Sequence, residues 1–182
     1  TWLDSTNIRD ILAQYEKAHH DFEFIDPSPI DYDEKIEFNE CVWNELCRFN
    51  LADYIKRGIR IIGIIFNLDP HDKDGSHWMC VIIDTKKARI YFFDSYGFRI
   101  HHRINTFCKD VIKQSAILPY TETFVRISNK IEHQTQTDSE CGMYCIYLII
   151  QAIQGEDIEK LMSKRIPDGR MVRLRKKLFN MF

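Results

Sequence analysis

Apolar residues recur along the chain with two periods, one helical and one alternating, and the switches between them outline the fold. After Asp4-Ser5-Thr6-Asn7, whose side chains can cap a first turn, Ile8, Ile11, Leu12 and Tyr15 recur at helical spacing and predict a short amphipathic helix ended by His19-His20. Residues Phe22 to Asp33 contain Pro27 and Pro29 and read as an irregular connection, kept from disorder by Phe22, Phe24 and Tyr32. Glu40 to Arg57 reads as one helix that turns Val42, Trp43, Leu46, Phe49 and Ile55 toward the core and stops at Gly58. The isoleucine-rich run Arg60 to Leu68 suits a central strand covered on both faces. A polar loop, Asp69 to Ser76, leads to two further strands, His77 to Asp84 and Arg89 to Asp94, joined closely enough to form an antiparallel hairpin. Arg103 to Leu118 carries Ile104, Phe107, Val111 and Ile112 on one helical stripe, and Thr123 to Asn129 is a strand. Cys141 to Gln154 is an apolar run of helical length, and Glu156 to Arg165 is a further helix. Met171, Leu174, Leu178 and Met181 line a closing amphipathic helix. Helices thus flank a β-rich middle, an α+β pattern, and one domain over residues 1–182 is expected.

Composition narrows the class. With 45% hydrophobic and 29% charged residues the chain reads as a globular protein with one core, and a net charge of −2 argues against a nucleic-acid binder by charge alone. The charge is uneven: Asp21 to Glu45 is acidic except for Lys35, and Lys164 to Lys177 is basic except for Asp168. Ordinary solvated faces are the first reading of both runs, docking patches the second. The six cysteines (Cys41, Cys47, Cys80, Cys108, Cys141, Cys145) include no Cys-x-x-Cys pair. With no secretory leader in view, reduced thiols in a cytosolic compartment are expected. The apolar runs are too short to span a bilayer, and the start at Thr1 reads as a trimmed N-terminus. His101-His102 and Cys108 match no usual zinc spacing, and no glycine-rich phosphate loop is present, so neither metal nor cofactor is expected.

The chemistry centres on Cys141. A polar loop, residues 134–140, stops at Cys141-Gly142, where an apolar run of about three helical turns begins. A thiol at that junction meets unpaired N–H groups and the positive end of a helix dipole, which favour the thiolate. Such a nucleophile needs a base and a group to orient it. If the hairpin loop is Thr85-Lys86, then Asp84 pairs with Lys87, and His77 falls directly opposite Asp94. Asp94 would then fix the imidazole tautomer and leave the other ring nitrogen facing Cys141. The Cys141 N–H and a side-chain amide from Gln134 or Gln136 could receive an oxyanion. Cys145, one turn deeper, reads as core.

His77-Trp78 opening one strand, Asp94 closing the next, and a glutamine a few residues before Cys141-Gly142 resemble the clan of adenain and the SUMO proteases. The resemblance implies a papain-like cysteine protease fold in the order His, Asp, Gln, Cys, with a central mixed sheet packed by helices. It implies His77 as base, Asp94 as its orienting group, Cys141 as nucleophile and Trp78 beside the cleft. The SUMO-protease spacing would put the oxyanion glutamine at Thr135; the adenain spacing puts it at Gln134, the preferred residue. Segments such as Trp2-Leu3-Asp4, Phe93-Asp94-Ser95-Tyr96-Gly97 and Ser139-Glu140-Cys141-Gly142-Met143-Tyr144 resemble maturation proteases of large DNA viruses and virophages. The role implied is a cysteine endopeptidase cleaving capsid or core precursors at small Gly-containing sites, in the virion and the infected-cell cytoplasm. A nucleic-acid or peptide activator on the basic C-terminal helix is also implied. Two other readings stay open: an isopeptidase for a ubiquitin-like modifier, and a non-catalytic module binding nucleic acid or a capsid.

Overall fold

In a computed structural model, which describes residues 2–137 and 139–179, a five-stranded mixed sheet carries helices on both faces. The strands are β1 (Phe22–Pro29), β2 (Ile61–Asn67), β3 (Trp78–Asp84), β4 (Arg89–Phe93) and β5 (Val125–Ser128), and their spatial order is their chain order. The two outer pairs, β1–β2 and β4–β5, are parallel; β2–β3 and β3–β4 are antiparallel. The helices are α1 (Ser5–Ala18), α2 (Asn44–Cys47), α3 (Leu51–Lys56), α4 (His102–Ala116), α5 (Cys141–Ile153), α6 (Ile158–Ser163) and α7 (Asp168–Phe179).

Alternation along β3 divides the core in two. Trp78, Cys80 and Ile82 join the cluster built on α1, α5, α6 and α7, while Met79, Val81 and Ile83 join the one under α2 to α4. Because β3 is buried along its whole length, it reads as a continuous apolar run. Helix α5 is buried nearly all round and lies close on the sheet at Gly63, where a Cβ would stand 3.1 Å from Ile149 Cδ1. The first helix starts where its capping residues lie: Asp4 accepts from the Asn7 N–H, and the Asn7 side chain returns a bond to the Asp4 N–H.

Four expectations from the sequence need correction. The irregular connection at 22–33 is largely β1; it is an edge strand, and its register shifts between Ile25 and Ser28, so Pro27 sits at a bulge where no ladder N–H is needed. The single helix over 40–57 is two short ones. Asn50 caps α3 through its side chain, and a disulfide joins Cys41 to Cys47. That disulfide also corrects the all-reduced reading of the thiols; Cys80, Cys108, Cys141 and Cys145 are free. The hairpin loop is Thr85 to Ala88 rather than two residues, because the Asp84 side chain accepts from the N–H groups of Lys86 and Lys87. Asp84 therefore pairs with Arg89, and the register moves by two. Met181, assigned to the closing helix, lies outside the described residues.

Candidate active site

His77 stands one residue before β3 and Asp94 one residue after β4, where β3 begins and β4 ends at the same end of the sheet. The imidazole Nε2 is 3.0 Å from Asp94 Oδ2, and both side chains are buried. Asp94 is itself fixed: its Oδ1 accepts from the Tyr96 N–H, and its backbone is held on both sides by the Asn129 side-chain amide. Tyr96 places its ring 5.0 Å from the imidazole, and the exposed Phe98 meets the imidazole edge-on. Among the described residues the His77 Nδ1 meets no nitrogen or oxygen partner, and the Cys141 thiol is its neighbour. Burial lowers the His77 pKa, but the Asp94 hydrogen bond, the neighbouring Cys141 thiol and their negative charges outweigh it and raise the value to about 9.

Cys141 is fully buried at the first position of α5. Behind it, Gly142 faces Trp78: a Cβ there would stand 3.2 Å from Trp78 Cδ1 and 3.3 Å from Leu3 Cδ1. The Trp78 indole N–H donates to the Leu3 carbonyl at 2.9 Å. The start of α5, the start of β3 and the N-terminal segment therefore lock together around Gly142. Cys145 packs against Cys80 with its pKa pushed up by burial, so it remains an inert thiol.

The structure separates the two candidate glutamines. Gln134 is fully buried; its Oε1 accepts from Ser95 Oγ at 2.8 Å, and its Nε2 donates to the Thr137 carbonyl at 2.9 Å. That leaves its amide a second N–H to aim. Gln136 is exposed. Ser95, which follows Asp94 directly, and Asn129 were not among the residues singled out from the sequence. Short polar side chains beside a candidate aspartate are the signal that could have found Ser95.

A cleft of about 510 Å³ ends at His77 and Trp78 and is walled by Trp2, Val42, Trp43 and His71 among others. His101, weighed above with His102 and Cys108 as a metal site, caps α4 instead, its Nδ1 accepting from the Arg103 N–H. Among the described residues no group of three or more His, Cys, Asp or Glu side chains could hold a metal ion. No described helix is long and apolar enough to cross a membrane. Of the basic residues at 164–177, Arg175 is buried against Glu140 and Arg170 reaches the Tyr147 hydroxyl, while Arg173, Lys176 and Lys177 are exposed.

A buried thiol at a helix start, an aspartate-bound imidazole beside it and a fixed buried amide make up the arrangement of a cysteine peptidase. Residues 57–182 match the model of the Ulp1 protease family, C-terminal catalytic domain, and the chain belongs to that family as a cysteine protease domain. Over 169 residues it is 28% identical to the R355 protein of Acanthamoeba polyphaga mimivirus, which carries a thiol-protease name, covering 91% of this chain and 52% of that one. It is 23% identical to the cysteine protease S273R of African swine fever virus, over 92% of this chain and 58% of the relative. The chain thus spans little more than half the length of these relatives. The crystal structure of the African swine fever virus pS273R protease superposes with a TM-score of 0.81 at 20% identity, covering 97% of this chain and 67% of the other. The yeast Ulp1 protease domain, solved in complex with Smt3, gives 0.63 at 17% identity over 97% of this chain and 74% of the other. Both likenesses bear out the papain-like α+β fold.

Proposed function

We propose that this chain is the catalytic domain of a viral cysteine endopeptidase that processes precursor proteins, capsid or core proteins foremost, at small Gly-containing sites. The observation that carries it is the His77 imidazole, tied through Nε2 to buried Asp94 while Nδ1 is left for the thiol at the start of α5. In this reading His77 takes the Cys141 proton or holds the thiolate–imidazolium pair, and the sulfur attacks the scissile carbonyl carbon. The Cys141 N–H and the second N–H of Gln134 receive the oxyanion. The imidazolium protonates the leaving amine, and water then releases the acyl group and regenerates the thiol.

Trp78 is buried, fixed by its bond to the Leu3 carbonyl, and lines the cleft beside His77, a rigid wall that would favour small side chains next to the scissile bond. The names of the viral relatives support the viral setting, and with it a place in the virion and the infected-cell cytoplasm. A nucleic-acid or peptide activator would meet α7 at Arg173, Lys176 and Lys177. The domain reading takes residues 1–182 as one unit.

Cleavage of a co-expressed capsid precursor tests the proposal: wild type should process it and Cys141→Ala should not. Retained processing by Cys141→Ala defeats the reading. The isopeptidase alternative draws on the Ulp1–Smt3 likeness. It predicts labelling of Cys141 by a SUMO or ubiquitin carrying a C-terminal electrophile and no precursor cleavage. A pseudoprotease would alkylate at Cys141 no faster than at Cys145.

A further inference from the structure

Helix α7 holds the loop that leads to Cys141 at two points. At its first residue, the buried Asp168 accepts through Oδ2 from the backbone N–H groups of Thr135 at 3.1 Å and Gln136 at 2.5 Å. Its Oδ1 accepts from the Tyr144 hydroxyl at 2.6 Å, and Tyr144 lies on α5 one turn beyond Cys141. Two turns further along α7, Arg175 donates to the Ser139 carbonyl at 2.8 Å and to the Glu140 carboxylate at 3.1 Å. The two anchors bracket the segment 135–140 that lies between Gln134 and Cys141.

The first anchor is built as a buried polar network. His133, next to Gln134, accepts at Nδ1 from the Ile166 N–H and donates from Nε2 to the Met162 carbonyl, and burial keeps its pKa low. Burial keeps the Tyr144 hydroxyl protonated and therefore a donor. Two backbone N–H groups in a loop with no secondary structure have their partner in one carboxylate oxygen. Remove it, and those donors must find water by moving the loop, or go unpaired.

We propose that Asp168 is a positioning residue for peptide hydrolysis, holding the Gln134 loop in register with the start of α5 so that the side-chain amide and the Cys141 N–H converge on one oxyanion. It touches neither substrate nor thiol; it acts through the N–H groups of Thr135 and Gln136. The inference rests on the peptidase reading above.

The test compares two reactions of one thiol. Alkylation by iodoacetamide needs the Cys141–His77 pair but no oxyanion site, whereas peptide cleavage needs both. Asp168→Ala should lower kcat by about tenfold to a hundredfold with little change in KM, since a single misplaced oxyanion donor costs up to about 10³-fold. Cys141 alkylation and its pH profile should stay within about twofold of wild type, because the pair is untouched. Asp168→Asn, whose side-chain oxygen can still accept from both N–H groups, should recover most of the loss. Should Asp168→Ala not fold, Tyr144→Phe decides instead. It deletes one donor to the carboxylate and keeps the ring, and should lower kcat by about threefold or more with alkylation unchanged. An unchanged kcat, or a parallel fall of kcat and alkylation, overturns the proposal. If wild type itself cleaves nothing and Cys141 alkylates no faster than Cys145, the peptidase reading has failed rather than the role of Asp168.

Discussion

His77 and Asp94 bond at 3.0 Å although they are not opposite each other on the hairpin. With Asp84 paired to Arg89, the register carried outward brings His77 level with Tyr96, and Asp94 sits diagonally, two residues back on the same face. Tyr96 occupies the opposite position and lays its ring 5.0 Å from the imidazole. The aspartate bonds the imidazole at Nε2 and the tyrosine ring lies beside it.

That geometry has a pH signature. The His77 pKa is raised from 6.5 to about 9, so the fold favours the imidazolium. Its contribution to stability is fully present below the unfolded value of 6.5 and is lost as pH rises through about 9. Urea denaturation from neutral to alkaline pH should show wild type losing its advantage over His77→Gln across that window. The free enzyme's kcat/KM should fall on an alkaline limb near pH 9, as the acid that protonates the leaving amine disappears. A limb near the ordinary histidine value would contradict the coupling to Asp94.

Gly142 is expected to resist enlargement. A methyl at 142 gains helix propensity of about 0.5–1 kcal/mol over glycine but presses on Trp78 and Leu3, a cost of about 1–3 kcal/mol. Those two neighbours hold each other through the indole hydrogen bond, so neither can retreat alone. Gly142→Ala should therefore lower stability by about 1 kcal/mol, read as a drop in Tm. Pairing it with Leu3→Ala should relieve the crowding, which a double-mutant cycle would show as coupling.

Glu140 and Arg175 form a buried ion pair, with side chains 6% and 9% exposed. Breaking such a pair from one side strands a charge. Arg175→Met should destabilise the domain by about 3–5 kcal/mol, and adding Glu140→Met should return much of the loss. Chemical denaturation of both single variants and the double variant measures this directly. Additive losses would mean that the salt bridge is not the source of the cost.

How much of this was readable in the sequence depends on which interactions decide each feature. The strands β2 to β4 and helices α1, α4 and α5 follow from periodicity, because one or both faces are buried and the pattern records it. The strand β1 was hidden by Pro27 and Pro29, which are harmless at a bulge and at the last position of an edge strand, and edges are set by topology. The broken helix at 41–56 turns on the Cys41–Cys47 bond and the Asn50 cap, of which only the cap has a local signature. In the hairpin, a side-chain turn at Asp84 added two residues to the loop. The His77–Asp94 pairing survived because a slip of two keeps every side chain on its face, whereas a slip of one would have reversed them. Choosing Gln134 over Gln136 by spacing alone was open; burial and the Ser95 hydroxyl favour Gln134 through contacts 39 residues apart in the chain.

Asp94→Asn tests the orienting role without emptying the site. The new side chain still has an oxygen for the Tyr96 N–H, now served by Oδ1. Its Nδ2 then faces His77 and donates to Nε2, which turns that ring nitrogen into an acceptor. The neutral imidazole must carry its proton on Nδ1, the atom that stands toward Cys141, so it can no longer take the thiol proton. The loss of a negative charge also withdraws a main support of the raised pKa. Peptide cleavage should fall by roughly 10³- to 10⁴-fold near neutral pH, with the alkaline limb displaced to lower pH. Cys141 alkylation, which depends on the same proton transfer, should slow with it, in contrast to a variant that disturbs only the oxyanion loop. Near-wild-type alkylation in Asp94→Asn would mean that the thiolate is held by the α5 terminus alone.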